Sequence, residues 1–182
     1  MDVQYWLQII LVCLLGAISP GPSLALVVGN SISRGRSYGI ATSLGHAVGI
    51  GLWAFLTAVG IAKVILETSG LLLVIQSLGA CLIGYVGFRS LVIGSTLSNN
   101  EIDHRSDSSG FVLKGAVEGF LISLLNPKIA LFFLAIFSHF VKPDAGWTQT
   151  GLMGITAGLV DGAWYVFVVF VLTGVGMARV PK

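Results

Sequence analysis

The sequence predicts an all-α integral membrane fold of five transmembrane helices, built as an inverted repeat of three plus two spans with a proline-broken first helix in each half. Three observations lead there. Of 182 residues, 55% are hydrophobic and only 10% charged, against roughly 25% charged residues in a soluble domain; mean hydropathy is +0.92. Five apolar runs are each long enough to cross a hydrocarbon core, which takes about 20 residues. The same proline-bearing pattern recurs in two of them.

The first run, residues 5–28, holds no charge but contains Pro20, Gly21 and Pro22 in "ISPGPSLAL". Proline lacks the amide hydrogen a helix interior needs, and its ring clashes with the preceding turn. This span is therefore expected to break in its middle. The start, "MDVQYW", has Asp2 and no basic residue, which argues against a cleaved signal peptide. The second and third runs are 38–66 and 71–93, and the polar stretch "STLSNNEIDHRSDSSG" follows. The fourth run, 115–141, carries "LLNPKIAL", and the fifth covers 150–178. The chain is thus one transmembrane domain, 1–182, with halves 1–97 and 111–182 joined by a loop at 98–110.

Pro22-Ser-Leu-Ala-Leu and Pro127-Lys-Ile-Ala-Leu share the pattern Pro-x-aliphatic-Ala-Leu at a separation of 105 residues. Three spans precede the loop, so the second copy enters the membrane from the opposite side. Such inverted repeats build many secondary transporters. Backbone groups freed by a break are tolerated in a bilayer only where protein or a water-filled cavity satisfies them. Helix N-termini suit a carboxylate, and free carbonyls suit an ammonium or another cation. Ser19, Pro20, Gly21, Pro22, Asn126, Pro127 and Lys128 are accordingly the candidate substrate-binding residues. The competing reading is a pair of kinks that only shape packing.

Basic residues set orientation. Arg34, Arg36, Arg89, Arg105, Lys114, Arg179 and Lys182 fall on one side, and Lys63 and Lys142 on the other. The N-terminus is expected outside and the C-terminus in the cytoplasm, which in a bacterium means the inner membrane. Trp6 and Trp147 fall near the outer interface.

Ionisable residues at bilayer depth usually face a cavity or a partner. Lys128 and Asp161 lie at similar depth with opposite charge, so an ion pair between them is expected, either structural or part of the site. Asp161 would contact a substrate ammonium or carry a proton. His46 is the second proton-coupling candidate, or a hydrogen-bonding residue at a helix contact. Glu118, expected near the start of its span, suits the helix dipole there. Gly154, Gly158 and Gly162, Gly45 and Gly49, and Gly115 and Gly119 form small-residue stripes that let helices approach closely, within the protomer or across a homodimer.

A net charge of +2 implies no nucleic-acid partner. Cys13 and Cys81 stand singly in apolar runs and form no C-x-x-C pair, so no metal site or cofactor is expected. No H-E-x-x-H or G-x-S-x-G motif supports an enzyme.

"GAISPGPSLALVV", "RGRSYGIATSLGHAVG", "GFLISLLNPKIALFFLAIF" and "DGAWY" resemble the LysE/RhtB amino-acid exporters, from Trp6 to Gly176. The resemblance implies a bacterial inner-membrane exporter of amino acids or close derivatives, coupled to the proton gradient by antiport. The family has six spans where this sequence predicts five, the sixth being the missing partner of span 3. Family members also carry Pro-Gln where this chain has Ser138-His139. The alternative is an inactive truncated remnant, or an assembly subunit of such a transporter.

Overall fold

Proline decides where the first helix stops. In the computed structural model, which describes residues 3–60, 108–141 and 146–177 and isolated positions between 70 and 88, helix α1 runs from Val3 to Ile18. Its last backbone bond is Ser19 N to Leu15 O at 3.2 Å. Pro20 cannot donate the next one. Gly21 is extended, with φ −177° and ψ −173°, and Pro22 opens α2, Pro22–Arg34, at the helix position where a missing amide hydrogen is harmless. The two helices meet at a bend of 64°.

The second break is built by the same rule. Helix α4 covers Ser108–Leu125. Asn126 then caps α5, Pro127–Ala135, its side chain accepting from the Lys128 amide at 3.0 Å, and the bend is 54°. A short 3-10 turn, Phe137–Phe140, follows. The expected breaks at Pro22 and Pro127 are thus both present.

Among the described residues two long helices are unbroken. Helix α3, Arg36–Ala58, starts after Gly35, whose φ of 87° favours glycine because a Cβ is strained there. Helix α6, Trp147–Met177, has 31 residues. Both are long and apolar enough to span a bilayer, and each bent pair qualifies as one further span. The third expected span, 71–93, and the end of the second, 61–66, lie outside the described residues apart from the isolated positions.

Helix α4 begins at Ser108, inside the stretch expected to be loop. Glu118 therefore stands in its third turn, beyond the reach of a dipole effect that fades within the first. Its partner is instead Arg34, whose Nη1 lies 3.1 Å from both carboxylate oxygens. Asn30 Nδ2 donates to Glu118 Oε2 at 3.1 Å, and Arg34 also donates to the Tyr38 hydroxyl.

Lipid tails are as apolar as leucine, so helices in a membrane associate through close packing rather than water exclusion. Glycine provides it here. A Cβ on Gly45 would lie 1.9 Å from Ala116 O, and one on Gly119 would lie 1.9 Å from Thr42 O. Helices α3 and α4 therefore touch backbone to backbone. On the other flank of α3, a Cβ on Gly158 would lie 2.8 Å from Ala47 O, and one on Gly154 would lie 3.0 Å from Gly51 O. The three stripes serve contacts within the protomer. Around them Ile9, Ile50, Trp53, Phe133, Phe137 and Met153 form the main buried cluster, with Trp53 Nε1 donating to Ser123 O at 3.2 Å.

The ends of the bundle sort consistently. Tyr5 donates to Phe140 O at 2.6 Å and accepts from Gln149 at 3.4 Å, which puts the starts of α1 and α6 and the end of the 3-10 turn together. At the other end Arg34 meets Glu118, Tyr38 stacks edge-on against Phe111, and Arg36 lies 3.7 Å from the Phe170 ring centroid.

Candidate functional site: two helix breaks around one cavity

The two breaks face each other. Asn126 Nδ2 donates to Ser23 Oγ at 3.0 Å, joining the start of α2 to the start of α5. Lys128 Nζ donates to Ser19 O at 2.5 Å and to Pro20 O at 3.2 Å. The carbonyls left without helical donors after α1 are thus satisfied by a cation from α5. Gly21 makes room for it: a Cβ there would lie 3.2 Å from both Cδ and Nζ of Lys128.

A cavity of about 510 Å³ opens beside the breaks, lined by residues of α1, α2, α3, α5 and α6. Of the expected site residues, Ser19, Gly21, His46, Asn126, Lys128 and Asp161 all line it. Pro20 contributes its carbonyl to Lys128, while Pro22 and Pro127 act through the backbone as first residues of α2 and α5. Most of the remaining wall is apolar, with Cys13, Ile50, Ile129, Phe132 and Phe133 among its side chains.

The expected ion pair between Lys128 and Asp161 is not formed. Lys128 is drawn to the freed carbonyls, and Asp161 pairs with His46, Nδ1 to Oδ2 at 2.7 Å, with side chains 1% and 6% exposed. Both stand near the midpoints of unbroken helices, α3 and α6, that the glycines press together. Asp161 leaves the stripe at Gly162 and turns to His46, while Gly162 faces Ala47. An ionised carboxylate only accepts, so with Asp161 charged the shared hydrogen sits on Nδ1 and donates to Oδ2. His46 Nε2 is buried without a partner among the described residues. The Tyr165 ring packs edge-to-face on the imidazole at 4.9 Å.

Tyr165, Cys13, Gly16 and Ser23 also line the cavity and were not picked out as site residues from the sequence. Tyr165 was within reach, since it follows Asp161 by four residues and so shares its helix face. Nothing local marks Cys13 or Gly16. Among the described residues no group of three His, Cys, Asp or Glu side chains could hold a metal ion. Cys13 is a buried free thiol and Cys81 an exposed one.

Comparison with known proteins adds the context. The family model described as LysE type translocator matches residues 14–179. An uncharacterized membrane protein of Vibrio cholerae is 30% identical over 166 residues, covering 88% of this chain and 77% of the relative. The uncharacterized membrane protein YrhP of Bacillus subtilis is 26% identical over 161 residues, 85% of this chain and 77% of YrhP. A leucine efflux protein of Salmonella typhimurium is 29% identical over 147 residues, 79% of this chain and 66% of its own length. No solved structure matches significantly.

Proposed function

Because the chain belongs to the LysE type translocator family, we propose that it is a secondary transporter of the bacterial inner membrane that exports amino acids or close derivatives by proton antiport, with alternating access at the two broken helices. The observation that carries this reading is the shared cavity: both breaks, a lysine ammonium and a buried carboxylate–imidazole pair line it together.

A zwitterionic amino acid needs a cationic end, an anionic end and space for its side chain. Lys128 uses two of its three N–H bonds on carbonyls, which leaves one for a substrate carboxylate. The start of α2 lies beside it and has no side-chain cap, whereas Asn126 caps α5. The uncapped end offers backbone amides and the positive pole of the helix dipole. The carboxylate of the substrate therefore belongs at Gly21–Lys128 and its ammonium toward Asp161, with the side chain against the apolar wall. The His46–Asp161 pair carries the proton. The basic residues Arg34, Arg36, Arg179 and Lys182 support an orientation with the N-terminus outside, since basic residues favour the cytoplasmic side.

A leucine efflux protein is among the relatives, so leucine is the first probe. Proteoliposomes with the full chain should take up labelled leucine against its gradient when a pH gradient is imposed, and stop when it is collapsed. Correctly inserted protein that moves neither leucine nor any other amino acid of a full panel would refute the reading. It would favour a chain that assembles with transporter subunits without transporting by itself.

A further inference from the structure

The cavity is lined by several acceptor atoms, and hydrogen bonds inside the protein already engage most of those placed near the breaks. Ser19 O and Pro20 O are filled by Lys128 Nζ. Asn126 Oδ1 accepts from the Lys128 amide, and Ser23 Oγ accepts from Asn126. Asp161 Oδ2 is held by His46 Nδ1 at 2.7 Å. His46 Nε2 is sealed inside the protein, so a molecule in the cavity does not reach it. One anionic atom is left. Asp161 Oδ1 is engaged by no hydrogen bond among the described residues, and it belongs to a residue lining the cavity.

We infer that Asp161 Oδ1 is the single atom for which the substrate ammonium and the coupling proton compete, and that His46 is a positioning residue that withdraws Oδ2 from the competition. This rests on the amino-acid/proton antiport reading above and assigns its coupling to one oxygen. With Oδ1 protonated, Asp161 is a neutral acid with no charge to hold an ammonium. On substrate binding the O–H bond at Oδ1 breaks, the proton leaves to water in the cavity, and an N–H of the ammonium donates to Oδ1 in its place. Nothing is oxidised or reduced. Both cations at once on one carboxylate, beside the Lys128 ammonium, would leave excess positive charge at mid-membrane, where ionised groups are costly.

The other titratable groups around the carboxylate are His46 on α3, Tyr165 on α6, Cys13 on α1 and Lys128 on α5. A phenol and a thiol ordinarily titrate on the alkaline side of neutrality, and the Lys128 ammonium is hydrogen-bonded to two carbonyls. If the coupling proton sat on the imidazole instead, it would have to reach a nitrogen that is closed to the cavity.

The test uses the purified full chain and labelled leucine, with binding measured across pH and proton release read by an indicator dye in weak buffer. Competition at one atom predicts that the half-saturating leucine concentration rises toward about tenfold per pH unit on acidification, with the saturating amount unchanged, and that about one proton leaves per leucine bound on the acid side. Asp161→Asn should lose the proton release and bind leucine at least about tenfold more weakly. His46→Asn keeps an N–H donor near the place of Nδ1–H and should retain the pH dependence. His46→Asn protein that binds leucine independently of pH would overturn the assignment by placing the proton on the imidazole. Wild-type protein that binds leucine without releasing a proton would also overturn it, leaves leucine export standing, and needs no variant to fold. Wild-type protein that binds no leucine overturns the assignment for this substrate together with the leucine reading.

Discussion

Gly119→Ala should damage both stability and transport, although residue 119 touches no substrate. A Cβ built there meets Thr42 O at 1.9 Å, Thr42 C at 2.8 Å and His46 N at 3.0 Å. Carbon-to-carbonyl contacts between helices settle near ~3.3 Å, so α3 and α4 must part by about 1.4 Å to relieve the first of these. Both sides of the contact are helix backbone and cannot rotate away as a side chain would. Overpacking in a core costs typically about 1–3 kcal/mol, and a backbone clash belongs at the upper end, near ~3 kcal/mol. The displaced strip of α3 runs from Thr42 to His46, so the 2.7 Å contact to Asp161 loosens too, and a misplacement of about 1 Å at a working site can lower rate by ~100-fold. Thermal unfolding in detergent and leucine uptake in proteoliposomes measure the two effects. Gly151→Ala is the control, since a Cβ there meets nothing within 4 Å. If Gly119→Ala unfolds and transports like that control, the backbone contact between α3 and α4 is not what positions His46.

Further outcomes are expected elsewhere. Asp161→Asn keeps the shape and one hydrogen-bond acceptor of the side chain; it should insert at wild-type levels and abolish gradient-driven efflux, and undiminished efflux would remove Asp161 from proton coupling. Lys128→Met strips Ser19 O and Pro20 O of their donor; a charge-assisted bond is worth about 1.5–3 kcal/mol, reduced here because Lys128 is only half-buried, so a loss of about 1–2 kcal/mol in unfolding free energy should accompany weaker leucine binding. Glu118→Gln removes the charge facing Arg34 across 3.1 Å but leaves an acceptor; about 1 kcal/mol of stability should be lost, with less loss at high salt. A reporter fused after Lys182 should be active only in the cytoplasm, and periplasmic activity would reverse the proposed orientation.

Features with local causes were legible in the chain before any packing was known. Pro20, Pro22 and Pro127 break their helices because proline cannot donate a backbone hydrogen bond wherever it stands, so both bends could be read from single residues. Asn126 before Pro127 is likewise a local cap. Their company was legible as well: His46, Lys128 and Asp161 stand inside apolar runs at similar expected depth, and all three line the cavity. Depth does not choose a partner. Two cationic candidates stood level with Asp161, and opposite charge alone favoured Lys128. Packing selects His46 for two reasons that no run of sequence contains. The break between α1 and α2 leaves two carbonyls without donors, and these capture the Lys128 ammonium from α5. The glycine contacts then bring α4 and α6 against opposite flanks of α3, which sets His46 against Asp161, 115 residues away along the chain. Glu118 was misplaced for a related reason: its helix begins earlier than the apolar run does, and its partner Arg34 lies 84 residues away, where only the packing of α2 beside α4 could bring it.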